Sequence, residues 1–117
     1  MEEVFAMEIN EYQGKAMRTL NPALKEKDIL LNSVMGLCGE SGEAIDIVKK
    51  WLCQGHTLDK EHLIKELGDV AWYLAEAATA LGVPLEEVLQ LNLAKLEKRY
   101  PNGFTSAESV HRDPKEE

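Results

Sequence analysis

The chain has 117 residues, 44% of them hydrophobic, with 21 acidic side chains against 13 basic ones and a formal net charge of −8. That length suits one domain and is short for two, and a core this small leaves much apolar surface uncovered unless the chain self-associates. The acidity argues against a generic binder of polymeric nucleic acid, yet leaves room for one phosphorylated small molecule whose charge is offset by cations.

Four helical stretches follow in order, and strand signals are nearly absent. The first runs from about Ala6 to Leu20 and ends at Asn21-Pro22. After a charged connection (Lys25 to Asp28), the second runs from about Ile29 to Cys53, with Gly55 placed for a helix C′ position. Thr57 or Asp59 caps the third, which runs to Leu81 and stops at Gly82. Pro84 opens the fourth, with Glu86 and Glu87 near its positive end; it reaches Tyr100 and halts at Pro101-Asn102-Gly103. The core is expected over 29–104 of a single domain spanning 1–117, with a flexible tail over 105–117.

Apolar residues recur at three- and four-residue steps in the two central stretches. Leu31, Val34, Cys38, Ile45, Val48 and Leu52 form one stripe, and Leu63, Leu67, Val70, Leu74, Ala77 and Leu81 the other. Short connections then favour an antiparallel all-α bundle. Cys38 and Cys53 match no zinc spacing and read as core residues. No signal peptide or membrane-length apolar run is visible, so the expectation is a cytoplasmic protein with no membrane attachment.

The informative residues are Glu40, Glu43, Glu66 and Asp69. Each pair is spaced i,i+3, which places its members on one helix face. On the second stretch Asn32, Gly39, Asp46 and Lys50 mark the solvent side, while Glu40 lies among Leu37, Ala44, Ile47 and Trp51. Glu66 sits beside the stripe of the third stretch, and Asp69 and Tyr73 continue that edge. Antiparallel packing lets the two pairs face each other across a groove. Four acids there repel and lose hydration, so protons or cations must compensate. Mg²⁺, with its preference for oxygen ligands, waters and phosphates, is the natural ion, and Mn²⁺ is an alternative. The plain alternative is a set of solvated surface acids. Against it, Gly36, Gly39, Gly42 and Gly68 stand among them, each unfavourable in a helix by about 1 kcal/mol relative to Ala, as if something approached closely.

Gly39-Glu40-Ser41-Gly42-Glu43-Ala44, Lys49-Lys50-Trp51 and Glu66-Leu67-Gly68-Asp69-Val70 resemble the MazG-type all-α nucleotide pyrophosphohydrolases. The likeness continues through Asn92-Leu93-Ala94-Lys95-Leu96 and Lys98 to Phe104. It implies a four-helix bundle completed by oligomerisation as a homodimer or homotetramer. It implies Mg²⁺ held by Glu40, Glu43, Glu66 and Asp69, and a (deoxy)nucleoside triphosphate cut to monophosphate and pyrophosphate by water attack at the α-phosphate, in nucleotide-pool housecleaning. Which acid is the general base stays open, with Glu43 preferred for lying nearer the polar boundary.

Substrate candidates follow. Asn92 and Lys95 lie three apart and can face one ligand, with Arg99 a further candidate. Lys49 can reach a triphosphate, or pair with Asp46. Trp51, Tyr73 and Trp72 can stack on a base or serve as core. His56, His62 and His111 show no convincing ligand spacing, and Asp59-x-x-His62 reads as an ordinary helix start. Arg112, in the tail, can fold over a site or stay in solvent. The alternatives are a phosphoribosyl-ATP hydrolase, a dUTP- or dCTP-preferring pyrophosphohydrolase, or a non-enzymatic oligomeric adaptor.

Overall fold

A computed structural model of the protein describes residues 6–112. Those residues are all-helical: α1 (Ile9–Met17), α2 (Glu26–Cys53), α3 (Lys60–Ala80), α4 (Leu85–Arg99) and α5 (Ser106–Val110). Among them there is no strand, only an isolated bridge between Pro101 and Gly103. They divide into two compact units, one ending at Leu85 and the other beginning at Glu86. No described helix is long and apolar enough to cross a membrane.

Local chemistry sets the helix ends. α2 begins at Glu26 rather than Ile29, because the charged connection supplies Glu26 and Asp28 to its first turn, where the helix dipole favours anions. It ends with Gly55 at a φ of 73°, and His56 N–H reaches back to the Lys50 carbonyl at 3.0 Å. At α3 the cap is Asp59, whose carboxylate accepts from His62 N–H at 3.1 Å. α1 is shorter than its sequence pattern, and Thr19 sits in the following turn with its hydroxyl on the Ala16 carbonyl. Pro84 stands just before α4 rather than inside it. The sequence reading did not foresee α5. It starts with a reciprocal capping box, in which Thr105 accepts from Glu108 N–H and donates to the Glu108 carboxylate. The Pro-Lys-Glu-Glu end of the expected tail lies outside the described residues.

In the first unit α2 and α3 pack antiparallel. Asn32 meets Glu76, Gly36 meets Tyr73 and Glu40 meets Glu66, so rising numbers on one helix meet falling numbers on the other. Glu76 is wholly buried and accepts from Asn32 Nδ2 at 2.8 and 3.0 Å, which ties the two helices at the end away from their connecting loop. α1 lies against α3. The Trp72 indole N–H donates to the Ala16 carbonyl (3.2 Å) and Thr19 Oγ1 (2.9 Å). Gln13 donates to Thr79 Oγ1 and the Val83 carbonyl and accepts from Leu85 N–H at 2.7 Å.

The buried seam differs from the expected one. Ser33, Glu66, Ala75, Glu76 and Ala78 are buried, whereas Leu31, Val34, Ile45 and Leu52 of the α2 stripe are exposed, as are Leu67 and Leu81 of α3. Cys38 and Cys53, expected in the core, are exposed free thiols. The buried positions carry small or polar side chains, while Val48 of α2 and Leu63, Val70, Leu74 and Ala77 of α3 are half-buried and the other stripe residues are exposed. Of the four glycines among the acids, only Gly36 is required by a close neighbour, since a Cβ there would enter the Tyr73 ring; Gly39, Gly42 and Gly68 face open space. Gly36→Ala is therefore expected to destabilise the protein by about 1–3 kcal/mol through overpacking. Gly68→Ala should be neutral or stabilising by up to about 1 kcal/mol. Denaturant unfolding of the two variants checks the contrast.

Candidate functional site

α2 contributes Glu40 and Glu43, and α3 contributes Glu66. One carboxylate oxygen from each lies within 4.8 Å of the others, and Glu66 is only 7% exposed. Glu40 is half-buried and Glu43 exposed, so the cluster grades from the seam outward. Oε2 of Glu40 and Oε2 of Glu66 are buried without a hydrogen-bond partner. Buried carboxylate oxygens without donors are costly unless a proton or a cation meets them.

The closeness of the acids shifts their protonation. The Glu40 carboxyl is pushed up to about 7, first by its hydrogen bond to Glu66, then by burial, then by the charges of Glu43, Glu66 and Asp69. Glu66 moves the other way. The hydrogen bond from Glu40 lowers it most, overcoming burial, with help from Glu43 and His62. The two carboxyls titrate as a coupled pair, pushed in opposite directions as facing acids are. The donor set is all oxygen and partly dehydrated, which fits a hard divalent cation such as Mg²⁺.

Asp69 stands apart from the three-oxygen cluster. It shares a smaller cleft of about 320 Å³ with Glu40, Trp72 and Tyr73. Burial, followed by the charges of Glu40, Glu76, Asp69 and Glu43, raises the Tyr73 hydroxyl above its ordinary range. The Tyr73 ring packs edge-on to Trp72, with centroids 5.1 Å apart. Trp72 is thereby spent on α1, and Tyr73 sits beside Glu40.

A larger cleft of about 590 Å³ opens beside Glu43. Gly39, Asp46, Ile47 and Lys50 of α2 form one side, and His56, Thr57, Asp59 and His62 the other. The face expected to be solvated is thus a cleft wall, because the α2–α3 loop folds back beside it. Asp46 holds both Lys50 (3.0 Å) and Lys49 (3.3 Å), and these lysines hold its carboxyl below the usual range. Lys49 lines a different cleft, with Ile45, Val48 and Leu52. Trp51 is 45% exposed. Asn92, Lys95 and Arg99 share one face of α4 in the second unit, where the Arg99 guanidinium lies 5.9 Å from the Tyr100 ring centroid.

Sequence reasoning missed two acid partners. His62 Nε2 meets Glu66 Oε1 at 3.0 Å, and Glu76 is the buried acid held by Asn32. The i,i+4 step from His62 to Glu66 was the available signal for the first. Glu76 had no comparable one.

Residues 30–104 match the family model described as the MazG nucleotide pyrophosphohydrolase domain. The chain is also similar to the Gene 37 protein of Mycobacterium phage L5, 40% identical over 82 residues that cover 67% of this chain and 72% of that protein. No solved structure matches it.

Glu40 holds its proton more tightly folded than unfolded. Its contribution to stability is complete below its ordinary value of 4.5 and is lost as pH rises through about 7. Glu66 acts oppositely, its contribution being lost only as pH falls below the usual carboxylate range. In chelator the melting temperature should therefore fall from pH 5 to pH 8, and Glu40→Gln should flatten that fall. Thermal melts across the range check both.

Proposed function

Because the chain belongs to the MazG nucleotide pyrophosphohydrolase family, we propose that it hydrolyses (deoxy)nucleoside triphosphates to monophosphate and pyrophosphate with Mg²⁺, in housecleaning of the nucleotide pool. The observation that carries this reading is the convergence of Glu40, Glu43 and Glu66 on one spot, with two buried carboxylate oxygens lacking donors. The adjoining cleft of about 590 Å³ falls within the size range of small-ligand sites.

Glu40, Glu43 and Glu66 would hold the cation, with Asp69, across Glu40, adding charge or a further ligand. When bound, Mg²⁺ neutralises the triphosphate and orients water for in-line attack on the α-phosphorus. Glu66, the most buried, fixes one side of the site. Glu43, exposed at the cleft, takes the proton from the attacking water as general base. The polyphosphate lies in the cleft, where Lys50 offers a charge already oriented by Asp46. Lys49, Asn92, Lys95 and Arg99 are proposed as further phosphate or sugar contacts, and Trp51 and Tyr73 as stacking surfaces for the base. These assignments rest on residue chemistry and resemblance.

Self-association belongs to the same proposal. Leu31, Val34, Met35, Ile45 and Leu52 along α2, with Ile64 and Leu67 on α3, present more outward apolar side chains than a small monomer ordinarily shows. A second copy of the chain, in a homodimer or homotetramer, covers them and completes the four-helix bundle. The protein acts in the cytoplasm on a nucleotide, with no membrane or polymeric nucleic acid as partner.

The test is incubation with each common ribo- and deoxyribonucleoside triphosphate and Mg²⁺, reading both products. Monophosphate and pyrophosphate are expected; diphosphate and orthophosphate would contradict attack at the α-phosphorus. Glu66→Gln should lower kcat by roughly 100-fold or more while the protein stays folded, since several kcal/mol of charge stabilisation is lost. A non-enzymatic adaptor would show no turnover in the wild type, and a phosphoribosyl-ATP or dUTP/dCTP-preferring enzyme would show a single dominant substrate. Turnover should follow the fraction eluting above the 13.1 kDa monomer.

A further inference from the structure

The carboxylate cluster has a nitrogen neighbour. His62 lies one turn before Glu66 on α3, and its Nε2–H donates to Glu66 Oε1 at 3.0 Å. Asp59 stands near His62 at the helix start. The His62 backbone N–H donates to Asp59 Oδ1 at 3.1 Å, and its Nδ1 lies 4.0 Å from Asp59 Oδ2. Asp59, His62 and Glu66 stand at i, i+3 and i+7, so they form one file along a helix face, from the cap to the cluster.

This file makes the two Glu66 oxygens unequal. Oε1 is committed to the imidazole, while Oε2 is buried and has no partner. The terminal torsion of a glutamate is broad and two-fold, so a carboxylate without such a bond can turn either oxygen inward or twist between them. From α2, the charged groups lining the cleft with His62 are Glu43, Asp46 and Lys50, and none of them is hydrogen-bonded to the ring.

We infer that His62 is a positioning residue, which locks the Glu66 carboxylate so that Oε2 is presented to the cation shared with Glu40 and Glu43. The inference rests on the reading of that cluster as a cation site. Partners behind a metal ligand fix its orientation, and losing one typically weakens metal affinity by about 10–100-fold. Asp59 caps α3 and stands near His62. The file starts from the helix cap, so the first turn of α3 and the cluster are built as one unit.

The experiment measures Mn²⁺ binding to the full chain without nucleotide, by the electron paramagnetic resonance signal of the free ion. His62→Ala should weaken binding by about 10–100-fold. His62→Gln, whose amide N–H can reach Glu66 from the same helical step, should recover most of the loss. Melting in chelator should place His62→Ala within a few degrees of wild type, which separates positioning from folding. If His62→Ala does not fold, His62→Phe keeps the bulk of the ring without a donor and carries the same expectation. Equal Mn²⁺ affinity in wild type and His62→Ala overturns the inference, as does a His62→Gln no better than His62→Ala. A folded wild type that binds no Mn²⁺ overturns the cation reading itself, and that outcome is visible before any variant is compared.

Discussion

The contact between Glu40 and Glu66 across the α2–α3 seam is the constraint from which the rest of the site follows. Two carboxyls that share buried space cannot both be charged unless something positive lies between them. Their closeness pushes the Glu40 carboxyl up to about 7, so a proton there relieves the repulsion. A divalent cation can take its place, because Glu43 adds an oxygen within 4.8 Å and two buried oxygens lack donors. The instability of the all-charged state and the capacity for a cation are two descriptions of one arrangement.

The fold brings those acids together by close backbone approach rather than by an apolar core. Gly36 admits the Tyr73 ring, the small Ser33 and Ala75 are fully buried, and Asn32 satisfies the buried Glu76. Gln13 and Trp72 latch α1 onto α3 through hydrogen bonds. What this seam leaves outside is an apolar stripe along α2, and on the proposed reading a second copy of the chain supplies the burial that one copy forgoes. Stability and catalysis are then linked through assembly as well as through the acids.

Much of this was legible in the residues. Gly55, Gly82 and Asp59 marked helix ends because each meets a specific backbone demand: a left-handed turn or an unpaired N–H. The i,i+3 acid pairs were legible because helical spacing alone sets which neighbours share a face. Periodicity failed where it had to choose between two faces. The stripe of Leu31, Val34 and Ile45 is the more hydrophobic one, yet the seam with α3 uses the smaller, more polar side. A hydrophobic pattern shows that a face wants covering, not which partner covers it. Asp69, which spacing groups with the other acids, lines a cleft with Glu40, Trp72 and Tyr73 and falls outside the three-oxygen cluster. His62 shows no metal-ligand spacing because its partner is a carboxylate one helical turn on.

The chain belongs to the MazG nucleotide pyrophosphohydrolase family, and the proposed chemistry falls on one spot between α2 and α3. The most direct measurement is an anomalous diffraction map at the manganese edge, from crystals grown with Mn²⁺ and a triphosphate that cannot be hydrolysed. The account predicts a peak among the Glu40, Glu43 and Glu66 oxygens, at direct coordination distance of about 2.0–2.6 Å, with the phosphates against it. A map with nucleotide bound elsewhere and those three carboxylates free of metal would contradict it.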